Sequence, residues 1–335
     1  MATRDVVVVG ASAGGVEALR ELVSGLPTNF PATVLVVLHI PPSGSNALAA
    51  ILDRAGPLEA RRAGHGEPLL HGTVRVAPPD HHLLVMEDRL ALSLGPRENG
   101  HRPAVDVLFR SAARAVGARC IGVVLSGALD DGSAGLVAVR TRGGVAVVQD
   151  PDEALQPGMP TSAIESAHPE HVLPVAEIAS LLAQLVQEEV PDGAGERAPE
   201  LMEVETDMAQ FDMSRIDGQE HPGQPAGFSC PDCSGALWSI EDGGLLRFRC
   251  RVGHAWSAES LLAQQSETLE GALWMALRSL EEKAALSRDL GRRADEDARA
   301  LSAARFRALA DESAQAARLI RDFLLAPPKA DEDVG

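Results

Sequence analysis

Ser12 stands in the run VVVGASAGG at 7–15, where an apolar stretch passes through Gly10, Ser12 and Gly14 into a helical pattern. Glycines on either side of a serine at this spacing make a nucleophile elbow: they tolerate a cramped strand-to-helix turn and leave the hydroxyl exposed above the sheet edge. A helix starting near Gly14 would aim its free N–H groups at an oxyanion forming on a bound carbonyl. The same strand, glycine turn and helix also open dinucleotide-binding folds. Against that reading, position 12 is Ser where G-x-G-x-x-G needs Gly, and the second apolar stretch ends in LHIP at 38–41 with no acidic ribose ligand. No Gly-Lys-Ser/Thr follows, so a Walker loop is also disfavoured.

A nucleophilic serine needs a base to take its proton and a carboxylate to hold that base in one tautomer. His39 ends the second apolar strand, and Asp130 and Asp131 lie in the loop GALDDG at 127–132 after a third. In an open α/β sheet, groups at the carboxyl ends of neighbouring strands converge on one crevice. Each candidate also has a plain structural use, since a histidine before Pro41 can cap a turn and Asp-Gly is a common turn former. Asp106 and Asp150 are weaker candidates, read as a solvated helix residue and a loop cap.

The elements that must position these groups occupy residues 1–188, where apolar runs alternate with helix-period segments. That pattern predicts an α/β fold, a doubly wound and mainly parallel sheet covered by helices on both faces. Parallel strands are expected at 5–10, 33–39, 119–126 and 145–149, and helices at 16–26, 104–116, 133–140 and 176–186. Shorter alternating runs at 73–77, 83–86 and 90–94 read as an inserted antiparallel hairpin. Cys120, inside an apolar run, reads as core filler.

Residues 189–226 are acidic and rich in Pro and Gly, which reads as a linker. The segment 227–257 then sets Cys230 and Cys233 on one turn and Cys250 and His254 on a second, the spacing of a zinc ribbon with four filled positions. A closed set leaves no place for substrate, so the metal expected is structural zinc, with Trp238 and Trp256 packing beside it. Residues 258–326 read as a helical hairpin turning at Gly291, with Leu269, Leu273, Leu277, Leu280 and Ala284 on one face and Phe306, Leu309, Ala316, Ile320 and Phe323 on the other helix. Such a hairpin packs on itself, dimerises or docks a helical signalling partner.

The 335 residues carry a net charge of −18. That balance disfavours nonspecific nucleic-acid binding and anionic membranes. No apolar run approaches the roughly 18 residues of a membrane span and no signal peptide opens the chain, so a cytoplasmic location is expected.

Over roughly residues 5–186 the chain resembles the chemotaxis protein-glutamate methylesterases of the CheB type. The resemblance rests on GASAGG at 10–15, HIPP at 39–42, VAP at 76–78, HRPAVDVLF at 101–109, LSG at 125–127 with DG at 131–132, and GMP at 158–160. It implies a Ser-His-Asp esterase, free of cofactors in catalysis, that hydrolyses glutamyl methyl esters on methylated chemoreceptors, with glutamine deamidation as a related activity. By position it makes Ser12 the nucleophile, His39 the general base and Asp131, rather than Asp130, the orienting carboxylate. Amides near Ala13 and in the loop 127–129 are the oxyanion-hole candidates, and Arg102 either binds a substrate carboxylate or forms an internal salt bridge. The family often has Met-Gly-Asn before its catalytic Asp, where this chain has Ala128, Leu129 and Asp130. Family members commonly carry a receiver domain that this chain is expected to lack. The alternative from another class is a catalytically idle adaptor that binds receptor or helical partners.

Overall fold

The computed structural model describes residues 2–44, 47–190, 197–210 and 223–326. They divide into two compact units at 261/262. The first unit opens with β1 (Ala2–Thr3), β2 (Val6–Ala11), α1 (Gly15–Ser24), β3 (Thr33–Leu38), α2 (Ala47–Ala55), β4 (Glu59–Arg62) and β5 (Thr73–Val76). It continues with β6 (His82–Met86), β7 (Arg89–Ser93), α3 (Val105–Val116), β8 (Cys120–Val124), α4 (Ser133–Thr141), β9 (Val145–Gln149), α5 (Gly158–Ala167), β10 (His171–Leu173), α6 (Val175–Leu185) and β11 (Glu189–Val190).

Seven of these strands form one parallel sheet in the order β10-β9-β8-β2-β3-β5-β4. Every residue of β2, β3, β8 and β9 is buried. This explains why they read as continuous Val and Ile runs: both faces are covered by helices. Along β2, Val7 and Val9 join one apolar layer with Leu19 and Ile178, while Val6 and Val8 join the other with Leu108 and Phe109. Cys120 lies in that second layer, and burial pushes its thiol well above the usual range, as suits core filler.

One expectation is corrected here. The stretch 73–77 is not part of the inserted hairpin; Thr73–Val76 pairs in parallel with β3 and β4. The hairpin is β6 with β7 alone. The strand is only four residues long and places Arg75 between two valines, so its period could not separate a sheet strand from a hairpin strand.

The segment read as linker contains an ordered helix, α7 (Glu200–Gln210), with Met202, Glu205, Thr206, Met208 and Ala209 buried. Acidic composition concealed it, because Glu205 is neutralised by arginines far away in sequence rather than solvated. Positions 191–196 and 211–222 of that stretch lie outside the described residues. Next comes a four-stranded antiparallel sheet, β12 (Gln224–Ser229), β13 (Ala236–Asp242), β14 (Leu245–Cys250) and β15 (Ala255–Ser257).

Helix α8 (Ala258–Glu296) begins in the first unit, and α9 (Ala300–Leu325) lies in the second. The second unit is the expected hairpin, but the reversal falls at 297–299, where Ala298 adopts φ 57°, and not at Gly291. Gly291 is helical and buried, facing Phe306 and Arg307 across the seam. A helix interior tolerates glycine at about 1 kcal/mol. The seam is built from Ala284, Ser287, Ala294, Ala303, Ala310, Ser313 and Ala317, whereas Leu269 and Phe323 of the expected faces are exposed. Small side chains let two helices approach closely, and of the expected faces Leu277 and Ala284 are buried while Leu273, Leu280, Phe306, Leu309, Ala316 and Ile320 are half-buried. Among the described residues, no helix is long and apolar enough to cross a membrane.

Candidate active site and thiol cluster

Parallel register places the first two groups. Ala11 pairs with Leu38, and the His39 amide donates to the Ala11 carbonyl at 3.1 Å, so Ser12 and His39 leave adjacent strands at the same level. Neighbouring strands lie about 4.8 Å apart, within side-chain reach. The Ser12 amide donates to the Ser126 carbonyl at 2.9 Å, which fixes the elbow to the end of β8. Ser126 Oγ in turn donates to the Ala13 carbonyl at 2.8 Å and accepts from the Gln156 amide at 3.0 Å. Two glycines are required by shape. Gly14 sits at φ 76°, and a Cβ on Gly127 would lie 2.0 Å from Met159 Sδ and 2.9 Å from Ser12 Cβ.

His39 Nε2 and Asp131 Oδ2 are 2.7 Å apart, both side chains being nearly inaccessible to solvent. The other ring nitrogen, Nδ1, is buried without a protein partner. With the proton on Nε2 held by the carboxylate, Nδ1 keeps its lone pair free to accept a hydroxyl proton. Ser12, His39, Arg97, His101 and Arg102 line one hollow of about 360 Å³. The His101 ring stacks on His39 at 3.6 Å and 13°. Burial, then the charge of His39, push His101 down to about 4, so at neutral pH it is an uncharged plate behind the imidazole.

Asp131 is 2% exposed and is the cap that α3 lacks among its own residues. Its Oδ2 accepts from the Val105 amide at 2.7 Å and its Oδ1 from the Asp106 amide at 3.1 Å, at the positive end of the helix. Burial alone would raise this carboxyl, but the His39 hydrogen bond and charge, with the Val105 amide, outweigh it and hold it far below the usual carboxylate range. Asp106, expected to be solvated, is instead buried and caps α4 in return, accepting from the amides of Gly132 at 3.0 Å and Gly135 at 2.7 Å. Burial and then the charge of Asp131 raise it well above its ordinary value. Sequence could not expose this reciprocal capping, because Asp131 caps the helix that carries Asp106 and Asp106 caps the helix that follows Asp131.

The remaining candidates separate cleanly. Asp130 does not meet His39; it accepts a 2.7 Å bond from Ser257 Oγ, and burial raises it to about 6. Asp150 is the loop cap expected, accepting from the Asp152 amide. Arg102 is spent within the domain on Asp80 at 2.7 Å and on the carbonyls of Leu94 and Gly95. The Gly127 amide is taken by the Gln156 carbonyl at 3.0 Å. Arg97, His101 and Asn99 were missed, although HRP at 101–103 marked the neighbourhood.

The second cluster brings Cys230, Cys233, Cys250 and His254 together, with all ligand atoms within 4.8 Å of one another. Cys233 and Cys250 sulfurs are 3.6 Å apart, and His254 Nδ1 lies 3.5 Å from Cys250 and 3.8 Å from Cys230. Tetrahedral zinc, with Zn–S of about 2.3 Å and Zn–N of about 2.0 Å, needs its ligand atoms roughly 3.5–3.8 Å apart, so the donor set fits. In a bare cluster the Cys250 thiol draws Cys230 down to about 3, and that same contact drives Cys250 far up. Trp256 packs with Cys230, Cys250, Leu237 and Phe248, whereas Trp238, expected beside the metal, sits half-buried outside that cluster. Alternation along β13 sends Leu237 inward and its neighbour outward.

The two clusters share one body. Arg249 donates to Glu98 at 3.0 Å and to Glu205 at 2.9 Å, Arg247 grips Glu205 with two bonds, and Arg110 grips Glu98 likewise. Glu98 also bridges in parallel to Ala255 of β15.

Comparison with known proteins gives the same picture for the first half of the chain. The pattern of the CheB methylesterase family matches residues 7–182, more than half of the chain. A protein-glutamate methylesterase/protein-glutamine glutaminase of Pseudomonas aeruginosa is 39% identical over 201 residues, 59% of this chain and 56% of that one. A putative enzyme of the same name from Leptospira interrogans is 39% identical over 184 residues, 55% of this chain and 95% of its own. The crystal structure of the Thermotoga maritima CheB methylesterase catalytic domain superposes with a TM-score of 0.53 at 35% identity, covering 55% of this chain and 100% of that one. The chain thus spans about half the length of several curated relatives that it matches.

Proposed function

Because the chain belongs to the CheB methylesterase family, we propose that its parallel-sheet region is a serine esterase acting on glutamyl methyl esters of chemoreceptor proteins, with glutamine deamidation as a second use of the same site. The observation that carries this reading is the 2.7 Å contact between His39 and Asp131 beside the strand end that bears Ser12.

Ser12 Oγ attacks the ester carbonyl while His39 Nδ1 takes its proton, and Asp131 holds Nε2–H and the imidazolium charge. The oxyanion is met by the Ala13 and Ala128 amides, since Gly127 N–H is committed elsewhere. Collapse of the tetrahedral adduct breaks the C–O bond to methoxide, which leaves as methanol with the proton from His39. Water, deprotonated by His39, then attacks the acyl-serine and frees the glutamate carboxylate and Ser12. This assignment reverses the ring-nitrogen roles of the familiar serine-protease arrangement, where Nδ1 faces the carboxylate.

Cys230, Cys233, Cys250 and His254 would hold zinc as a structural cross-link, and no catalytic step passes through it. The helical hairpin of the second unit offers exposed Leu262, Trp274, Met275 and Leu319 to a helical signalling partner. A cytoplasmic location follows from this substrate. The idle-adaptor alternative draws no support from the relatives, which bear the esterase name. Methanol release from a glutamyl methyl ester peptide and from methylated receptor is the test. Release equal in wild type and Ser12→Ala would reject the reading.

A further inference from the structure

The loop between β7 and α3 carries Arg97, Glu98, Asn99 and His101 past the hollow, and β15 pairs with it. The Asn99 amide donates to the Ala255 carbonyl at 2.8 Å, and the Ala255 amide donates to the Arg97 carbonyl at 3.2 Å. Asn99 is 8% exposed and adopts φ 52°, a left-handed conformation that Asn tolerates better than most side chains.

All four hydrogen-bonding positions of its side chain are used. Nδ2 donates to Asp131 Oδ1 at 3.0 Å and to Asp106 Oδ2 at 3.1 Å. Oδ1 accepts from the Ser257 amide at 2.8 Å and from Ser260 Oγ at 3.0 Å. Rotating the amide would turn its oxygen onto two carboxylates, so its orientation is dictated. Ser257 and Ser260 are themselves locked as a reciprocal cap at the start of α8, each hydroxyl accepting the other's amide at 3.0 Å. Ser257 Oγ also reaches Asp130, the neighbour of Asp131.

We propose that Asn99 is a positioning residue for the esterase: its amide fixes the Asp131 carboxylate in the plane that His39 requires, and the Ser257–Ser260 cap, delivered by the thiol-bearing sheet, fixes Asn99. The C-terminal module thereby completes the catalytic machinery rather than trailing behind it. This inference rests on the esterase reading for its kinetic consequences, but not for its geometry.

Three variants of the full-length protein test it. Asn99→Gly keeps the left-handed backbone and deletes the amide, Asn99→Asp keeps the shape but turns a donor toward two carboxylates into a negative oxygen, and Ser260→Ala removes one anchor of Oδ1. Each is assayed for methanol release across pH, with the His39 ring titrated by NMR and folding checked by thermal melting. A misoriented catalytic group costs on the order of 100-fold in rate. We therefore expect kcat to fall by about 100-fold in Asn99→Asp, about 10-fold in Asn99→Gly and roughly threefold in Ser260→Ala, with KM little changed. The acid limb of kcat/KM and the His39 titration should both move to higher pH in Asn99→Asp, because the added charge stabilises the imidazolium. A merely structural role would lower the melting temperature and leave kcat and the His39 titration of folded Asn99→Gly, which adds no charge, at their wild-type values.

Wild-type kcat and an unmoved His39 titration in folded Asn99→Gly would overturn the proposal. If Asn99→Asp does not fold, Asn99→Gly and Ser260→Ala carry the same decision. A wild-type protein that releases no methanol, yet whose His39 titration shifts in the charge-neutral Asn99→Gly, would refute the esterase reading while upholding the positioning role.

Discussion

The two polar clusters of the first unit are assembled by opposite means. Ser12, His39 and Asp131 lie far apart in the chain; ends of adjacent parallel strands bring Ser12 and His39 to one hollow, and His39 meets Asp131 at 2.7 Å. Cys230, Cys233, Cys250 and His254 lie close in the chain and are gathered by two tight turns into a crowd of sulfurs. The long-range site is preorganised by apolar strands and helix ends, whereas the local one is a set of three cysteines and a histidine brought to metal-ligand spacing by their turns. Asn99 and the Glu98–Arg249–Glu205 network tie one to the other, so the contrast yields measurable asymmetries.

The largest effect expected is from Ser12→Ala, which should reduce methanol release by roughly 10⁴-fold or more while leaving metal content and the melting temperature near wild type. A change in metal content would mean that the clusters are not separable on that side. Next, Glu205→Leu strands Arg247 and Arg249, and a broken buried pair costs about 3–5 kcal/mol. Denaturant unfolding should register that loss, and an unaltered midpoint would dissolve the link between α7 and the sheet of β12 to β15.

Acid should separate the regions by pH window. His82 is buried and neutral, its Nε2 donating to the Pro96 carbonyl and its Nδ1 accepting from the Ala104 amide, and burial pushes it down to about 4. His101 is also pushed down to about 4. The unfolded chain therefore binds more protons than the folded one between about 6.5 and 4, and stability falls as pH falls through that window, by on the order of 2–3 kcal/mol for His82. Glu205 behaves oppositely in range: burial would raise it, but Arg247, Arg110 and Arg249 hold it far below the carboxylate range. Its stabilisation is present in full above the unfolded value and is lost progressively as pH falls from there through the folded one. Hydrogen exchange at pH 5 should accordingly loosen the segment around β6 and α3 before α7, and His82→Gln should flatten the pH dependence. The smallest effect is expected from chelation: the three thiols should become reactive, and ester hydrolysis should fall by about 10-fold as β15 loosens its hold on the loop 97–101. Full activity with reactive thiols would show the clusters to be independent.

Much of the catalytic side was legible because its logic is local at each strand end. Gly10, Ser12 and Gly14 announce a strand-to-helix elbow, and His39 and Asp131 follow apolar runs, so the shared crevice could be anticipated from parallel topology. Asp106 was misread because an aspartate in the first turn of a helix has the same signature whether solvated or capping a distant helix. Helix α7 was hidden by its acidity, since arginines at 110, 247 and 249 neutralise Glu205 across long sequence separations. The reversal expected at Gly291 failed because a glycine signals both a turn and a close helix contact.

By itself the sequence determined the elements whose causes are near neighbours: buried Val-rich strands, the elbow around Ser12, the paired turns that gather thiols and imidazole, and two long helices. Tertiary structure alone decided which ring nitrogen of His39 faces Asp131, which carboxylates cap which helices, and that the thiol-bearing sheet reaches Asp131 through Asn99. The reason is physical. Periodicity and turn chemistry act over a few residues, whereas burial, charge neutralisation and hydrogen-bond satisfaction depend on partners that only the folded chain brings within 3 Å or so of one another.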